Sequence, residues 1–149
     1  MTAERIGLDP LVQEYQALGI ATHQMQYVAA SSEAMPFADQ YFDVVSSFNS
    51  LDHVADLAGT VQEIKRVLKQ DGYFLLLTDV GHLPAITEPL SFSWEIIEAF
   101  KPELDVVRDL RFEKSKPEAV YQSIRDAKPY NMENTKRRYG VLSLMMRKK

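Results

Sequence analysis

The 149-residue chain contains no cysteine, which excludes disulfide bonds, thiolate metal sites and a cysteine nucleophile. It has no apolar run of the roughly 18–20 residues that cross a bilayer, and its N-terminus lacks the basic and apolar regions of a signal peptide. A net charge of −4 argues against a general nucleic-acid surface. We therefore expect a cytoplasmic protein with no membrane or nucleic-acid partner.

Glycine is scarce as well, with six in the whole chain. None of them forms a G-x-G-x-G run or the G-x-S-x-G elbow of a serine hydrolase. The length suits one compact core, because single domains usually hold about 100–200 residues. The sequence therefore predicts a single domain over residues 1–149.

What the chain does contain is an alternation of short apolar strands with helices. Strands are predicted at residues 4–8, 25–30, 41–48, 73–78, 104–112 and 139–147. Helices are predicted at residues 10–18, 56–72, 93–100 and 116–125. Strands that alternate with helices are typical of an α/β fold.

The helix at 56–72 has the clearest pattern. Its apolar residues recur at i, i+4, i+7 and i+11 and form one stripe that faces a sheet: Leu57, Val61, Ile64 and Leu68. Its charged residues are expected to face water: Glu63, Lys65, Arg66 and Lys69. Asp56 is placed to cap the helix and Gly72 to end it. The first helix shows a similar stripe of Leu11, Val12, Tyr15 and Leu18.

The stretch from Ala34 to Leu77 carries a more specific signal. It contains MPFADQYFDVV, then DHV, then EIKRVLKQDGYFLLL, which reads as strand, loop, helix, turn and strand. It closely resembles the second half of the class I, Rossmann-like S-adenosylmethionine (SAM) methyltransferase domain of the type 11 kind, which reads roughly "lPF-x-x-x-x-FDVV…HV…Ei-RVLKPGG-x-lll". The resemblance implies a three-layer α/β Rossmann-like sheet with an antiparallel C-terminal hairpin. It also implies SAM as cofactor and a small-molecule methyl acceptor.

The glycine-rich loop and first strand of that family are missing from this sequence, so we expect an N-terminally truncated domain. Their absence leaves a slot between the family's second and fourth strands, with unpaired backbone groups. The two strands can pair directly, a second copy can cover the exposed edge, or a separate N-terminal piece can fill the slot. The second arrangement, a homodimer through the exposed strand edge, is favoured.

Asp9 is the first candidate cofactor ligand. It follows the first predicted strand within Gly7-Leu8-Asp9-Pro10, a run that resembles the family's "GvDps". A carboxylate at the end of a strand can accept hydrogen bonds from both hydroxyls of a ribose. The same side chain can instead cap the helix that begins at Pro10.

The resemblance places Ser31, Ser32, Met35 and Phe37 in the family's adenine-binding segment, "DAEaLPF". Ser31 stands where the family has an acidic residue, and a serine lacks the charge-assisted part of the hydrogen bond. The adenine contact is therefore expected to be weaker by about 1 kcal/mol. Met35 and Phe37 fit a role in the core equally well.

The candidate catalytic residues follow the third predicted strand. The resemblance places Asn49 beside the transferable methyl group, with His53 and Asp52 available to take a proton from an oxygen or nitrogen acceptor. His82 and Trp94 fall in a segment expected to form part of the acceptor lid. The three histidines are far apart along the chain, so no metal site is predicted.

Two functions follow from this reading. The chain is either a SAM-dependent methyltransferase that acts when the glycine-rich half is supplied, or a non-catalytic α/β remnant that binds a partner or small molecule. The methyl acceptor is not specified by any motif.

Overall fold

A computed structural model of the chain describes residues 4–114, 116, 119–134, 136 and 138–149. They form two sheets. The smaller sheet is a parallel pair of β1 (Ile6–Leu8) and β2 (Gln26–Val28). The larger sheet holds β3 (Phe42–Phe48), β4 (Leu68–Val80), β5 (Leu104–Glu113) and β6 (Gly140–Lys148), in the spatial order β3-β4-β6-β5. The first pair is parallel and the other two are antiparallel, which confirms the α/β fold and its C-terminal hairpin.

Within the described ranges, three α-helices lie between these strands: α1 (Val12–Gln16), α2 (Leu57–Val67) and α3 (Val120–Asp126). The same ranges contain three 3₁₀ helices, Ile20–Thr22, Leu51–His53 and Trp94–Phe100. The helix predicted over 116–125 begins only at Val120, and residues 117 and 118 lie outside the described part.

The predicted end of the central helix at Gly72 is wrong. Helix α2 ends at Val67, and Leu68 already has extended backbone angles, φ −76° and ψ 132°. The chain therefore passes from helix to strand without a loop, and Gly72 lies inside β4. Asp56 precedes the helix as predicted, but its side chain makes no capping hydrogen bond.

The main core lies on one face of the larger sheet, under α2 and the Trp94–Phe100 turn. The predicted apolar stripe packs there, since Val61, Ile64 and Leu68 are at most 3% exposed and Leu57 packs beside them. The sheet contributes Phe74, whose ring centroid lies 4.7 Å from that of the fully buried Phe100. Full burial of such side chains stabilises a fold by about 1.5–3 kcal/mol each.

Two expectations about helix faces are wrong. Lys65 does not face water: it is 8% exposed, and its Nζ lies 2.9 Å from Oε2 of Glu103. The predicted apolar stripe of the first helix is mostly not buried. Val12 is buried, but Leu11 and Leu18 are 48% and 78% exposed. The short helix α1 therefore does little packing.

The opposite face of the sheet is partly open. Strand alternation places Val44, Phe48, Tyr73 and Leu110 there, and these side chains are 37–52% exposed. Helix α3 covers part of this face, where Val120 packs with Leu77 of β4 and Val141 of β6.

The edge of β3 that faces away from β4 pairs with no strand in the described part of the chain. Direct pairing of the family's second and fourth strands, one of the three expected arrangements, is therefore not what this structure shows. No helix among the described residues is long and apolar enough to cross a membrane.

Candidate functional site

A cleft of about 430 Å³ opens at the carboxyl ends of β3 and β4. Ligands of open α/β sheets bind at this position. The cleft is lined by Asn49, Asp79, His82, Leu83, Glu88, Lys114, Val120 and Tyr139. Of the predicted site residues, it therefore contains Asn49 and His82.

Asn49 is held in an uncommon backbone conformation immediately after β3. Its φ is 53°, a left-handed value that asparagine tolerates better than most residues, and its N–H donates to the carbonyl of Leu77 at 2.7 Å. Its side-chain Oδ1 is buried and has no hydrogen-bond partner among the described residues. This oxygen is available to accept a hydrogen bond from a ligand.

Asp79 and Lys114 form a buried ion pair in the cleft, with side chains 9% and 5% exposed. Burial raises the pKa of Asp79, and the Asp52 charge adds to this effect, whereas Lys114 opposes it. Asp79 Oδ1 has no hydrogen-bond partner in the described part of the chain. Sequence reasoning missed Lys114 because it follows Asp79 by 35 positions and belongs to no motif.

The two predicted catalytic residues lie in the 3₁₀ turn Leu51–His53, where Asp52 is 1% exposed. His53 Nε2 lies 3.7 Å from Asp52 Oδ1, and His82 Nε2 lies 3.9 Å from Asp52 Oδ2. Both distances are too long for hydrogen bonds. The structure therefore places a buried carboxylate between two imidazoles that lie far apart in the sequence.

The orientation of His82 is set by a backbone contact. Its Nδ1 lies 3.0 Å from the carbonyl oxygen of Leu83, which can only accept, so Nδ1 carries the proton. In the neutral ring Nε2 then carries a lone pair. This nitrogen, which faces Asp52, is buried and has no hydrogen-bond partner among the described residues.

Hydrogen bonds hold the predicted adenine-binding segment, residues 31–37, against the start of α2. Ser31 donates a hydrogen bond to the carboxylate of Glu33, and the hydroxyls of Ser32 and Thr60 are 2.9 Å apart. Glu33 Oε1 also accepts from the backbone N–H of Ala55 at 2.9 Å. The hydrogen bond from Ser31, assisted by backbone N–H groups, lowers the pKa of Glu33 to about 2. The hydroxyls of Ser31 and Ser32 are thus already engaged within the protein.

Met35 and Phe37 are held in the same way by α2. Arg66 donates to the carbonyl of Met35 at 2.9 Å and to that of Phe37 at 2.7 Å, while the Met35 N–H donates to Glu63 at 2.7 Å. The hydrogen bond from Arg66 lowers the pKa of Glu63. Met35 packs against the main core, and the Phe37 ring lies edge-on to Phe42 with centroids 4.9 Å apart.

Asp9 and Trp94 lie outside the cleft. Asp9 Oδ1 accepts a hydrogen bond from the N–H of Leu11 at 2.8 Å, so this carboxylate stabilises the turn into α1 and keeps its second oxygen for another donor. The Trp94 ring packs edge-on against Tyr130, with centroids 4.8 Å apart, beneath the guanidinium of Arg111.

The profile of the methyltransferase domain family matches residues 4–76, about half of the chain. Among curated proteins, the uncharacterised methyltransferase YcgJ of Bacillus subtilis is 35% identical over 89 residues, covering 48% of this chain and 34% of YcgJ. The ubiquinone/menaquinone biosynthesis C-methyltransferase UbiE of Klebsiella pneumoniae is 37% identical over 71 residues, covering 48% of this chain and 27% of UbiE. The chain thus matches about a third or less of these relatives' length.

Solved structures agree over nearly the whole chain. The crystal structure of YcgJ superposes with a TM-score of 0.62 at 18% identity, covering 98% of this chain and 82% of that one. A geranyl diphosphate methyltransferase in complex with SAM superposes with a TM-score of 0.67 at 13% identity, covering 99% and 69%. Residues 4–76 thus belong to the methyltransferase domain family, in a chain with the fold of the class I, Rossmann-like SAM-dependent methyltransferases.

Proposed function

We propose that this chain supplies the cofactor pocket wall and the acceptor site of a SAM-dependent methyltransferase that acts on a small molecule. One observation carries the proposal: the family match over residues 4–76 includes all of β3 and most of β4, the two strands whose carboxyl ends form the cleft.

The residues fit SAM unevenly. Asp9 retains a carboxylate oxygen for the ribose, and Asn49 offers an unpaired buried oxygen beside the cleft. Ser31 and Ser32 are the weaker part of the fit, since both hydroxyls already have partners within the protein. Met35 and Phe37 would then contribute apolar contact rather than hydrogen bonds on the adenine side. When bound, SAM supplies a methyl group on a positively charged sulfur.

The chain's own residues would position the acceptor and manage its proton. An oxygen or nitrogen acceptor loses a proton as it gains the methyl group, and the proposed proton acceptor is His53, held next to the buried carboxylate of Asp52. His82 lines the cleft on the acceptor side. Trp94, expected in the lid, would act only by supporting the wall from behind.

Calorimetric titration of the full chain with SAM tests the proposal. We expect one SAM per chain, and Asp9→Asn should weaken binding by on the order of tenfold because a ribose hydrogen bond to a charged group is lost. Asp126→Asn is the matched control, since Asp126 is exposed and its carboxylate accepts a hydrogen bond from Gln122 four residues earlier in α3. Absence of heat at millimolar SAM would overturn binding by this chain alone.

A non-catalytic binding module is the second candidate, and the internal bonds of Ser31 and Ser32 favour it. In that case the cleft still binds a small molecule, but SAM gives no heat while the fold remains intact. The same titration therefore separates the two functions.

We also propose that the chain forms a homodimer through the free edge of β3. The exposed apolar side chains of Val44 and Phe48 lie on that strand and support the proposal. Pairing with a second copy would satisfy the backbone groups of the edge.

A further inference from the structure

Beside the cleft, the molecule holds a compact set of metal-ligating groups, of which Glu88 and His82 line the cleft itself. One ligand atom from each of Asp52, His53 and Glu88 lies within 4.8 Å of the other two. A hydrogen bond from the N–H of Leu90 to the carbonyl of Asp52, 3.2 Å long, holds the Glu88 segment against the Leu51–His53 turn. His82 adds a fourth group, with its Nε2 3.9 Å from Asp52 Oδ2.

Two of these atoms are buried acceptors that lack a donor. Asp52 is 1% exposed and His82 is 7% exposed, and neither Asp52 Oδ1 nor His82 Nε2 has a hydrogen-bond partner among the described residues. A buried polar atom without a partner costs about 1–3 kcal/mol. His82 Nε2 lies 3.9 Å from the other carboxylate oxygen of Asp52, Oδ2, a spacing that leaves room for a cation between the two side chains.

We infer that Asp52, His53, His82 and Glu88 form a binding site for a divalent transition-metal ion of the zinc type. Ligand atoms that bind one ion at about 2.0–2.2 Å lie roughly 3–4 Å from one another, which agrees with the 3.7 Å and 3.9 Å that separate the two imidazole nitrogens from the Asp52 carboxylate. Imidazole nitrogens combined with carboxylate oxygens suit Zn²⁺, Co²⁺ and similar ions, whereas Mg²⁺ and Ca²⁺ prefer oxygen ligands alone.

The supporting contact of His82 is of the kind that metal-binding histidines make. Its Nδ1–H donates to the carbonyl of Leu83, which fixes the ring and leaves Nε2 for the ion. Sequence spacing gave no sign of this site, because His53 and His82 are separated by the whole of α2 and β4.

This site goes beyond methyl transfer and does not require SAM to bind. A nitrogen of His53 that binds an ion cannot also take a proton, so metal binding and the proposed proton acceptance exclude each other at any one moment. A chain that binds SAM can therefore fail to bind zinc, and a chain that binds zinc can fail to bind SAM.

Calorimetric titration of the full chain with Zn²⁺, and absorption of the Co²⁺ form, test the inference. We expect one ion per chain, with at least tenfold weaker binding in His53→Gln, His82→Gln and Glu88→Gln, because loss even of a supporting contact to a metal ligand costs 10–100-fold. The matched control is His23→Gln, since the His23 ring contacts Tyr27 and takes no part in the cluster.

Imidazole nitrogen NMR provides a readout that does not depend on stability. Zn²⁺ should shift the signals of His53 and His82 and leave that of His23 in place, and Mg²⁺ or Ca²⁺ at the same concentration should shift none. Far-UV circular dichroism checks that each variant is folded. The inference is overturned if folded wild type binds no Zn²⁺, or if His23→Gln weakens binding as much as the cluster variants do.

Discussion

The Glu33 carboxylate accepts a hydrogen bond from the backbone N–H of Asp56 at 3.1 Å. This bond joins the loop after β2 to the residue that precedes α2, 23 positions along the chain. The N-terminal end of a helix has unpaired N–H groups that need acceptors, and Glu33 supplies one from outside the helix. Glu33, which lies in the predicted adenine-binding segment, thus accepts from the residue that precedes the helix, while the side chain of Asp56 makes no capping hydrogen bond.

Glu33 should make stability depend on pH in the acid range. Its folded-state pKa of about 2 lies below the ordinary value of 4.5, so its contribution is complete above about pH 4.5 and is lost as the pH falls through about 2. Glu33→Gln should lower the free energy of unfolding by about 1–2 kcal/mol at pH 7, allowing for solvent screening. Urea unfolding at pH 7 and pH 3 measures this difference.

The difference between Glu33→Gln and wild type should shrink at the lower pH, because at pH 3 the Glu33 carboxyl is mostly protonated in the unfolded state while it stays mostly ionised in the folded state. Glu14→Gln, in an exposed position of α1, serves as the control and should change little at either pH. A Glu33→Gln effect of equal size at both values would contradict the linkage.

Much of the larger sheet and its main core could be predicted from sequence. The stripe of Val61, Ile64 and Leu68 follows from the helical spacing of apolar residues. It packs on β3 and β4, the strands that precede and follow the helix in the sequence. The exact end of the helix could not be predicted, because Leu68 is apolar and suits the buried face of a helix or of a strand equally.

The site could be predicted only where it depends on the ends of strands. Asn49 follows β3 directly and His82 comes soon after β4, and both line the cleft, the position at which ligands of open α/β sheets bind. The pairing of Asp79 with Lys114, and of Asp52 with His82, depends on how β5 and the segment after β4 return to the sheet. No local sequence pattern encodes where these segments lie against the sheet, so these contacts could be identified only from the structure.

Gly140 should not tolerate a side chain. A Cβ at this position would lie 2.6 Å from Cη2 of Trp94, whose ring is already held between Tyr130 and Arg111. Gly140→Ala should therefore lower the free energy of unfolding by about 1–3 kcal/mol through overpacking. Trp94 is the one tryptophan in the sequence, so its fluorescence emission reports the displacement directly.

Shortening the neighbouring side chain supplies the control for this prediction. Trp94→Leu combined with Gly140→Ala should destabilise the protein by less than the sum of the two single changes, because the clash has been removed. Strict additivity, together with unchanged emission of Gly140→Ala, would show that the ring does not limit this position.

Val44→Lys should weaken the proposed homodimer. Val44 is 52% exposed on β3, and a lysine there would bring a charge against the apolar surface of a second copy. We expect the dissociation constant to rise by on the order of tenfold or more, since burial of an unpaired charge is costly. Sedimentation equilibrium measures it.

Val107→Lys is the matched control for the dimer, because Val107 is 50% exposed on β5 at the other edge of the sheet. Pairing along β5 is irregular between Val106 and Arg108, which makes that edge a poor template for a further strand. An effect of Val107→Lys equal to that of Val44→Lys would assign the interface elsewhere, and a monomeric wild type would exclude the dimer.

Removal of Lys114 should be costly because it leaves Asp79 buried without its partner. Both side chains are at least nine-tenths buried, and deletion of one member of such a pair typically costs about 3–5 kcal/mol. Lys114→Met should therefore lower the free energy of unfolding by about that amount, measured by urea unfolding at pH 7, whereas Lys116→Met at an exposed position should have little effect.

Adding Asp79→Asn to Lys114→Met removes the isolated charge and should restore most of the lost stability. A cost below about 1 kcal/mol for Lys114→Met alone would mean that Asp79 is already neutral or solvated in the cleft, and the double variant would then show no recovery.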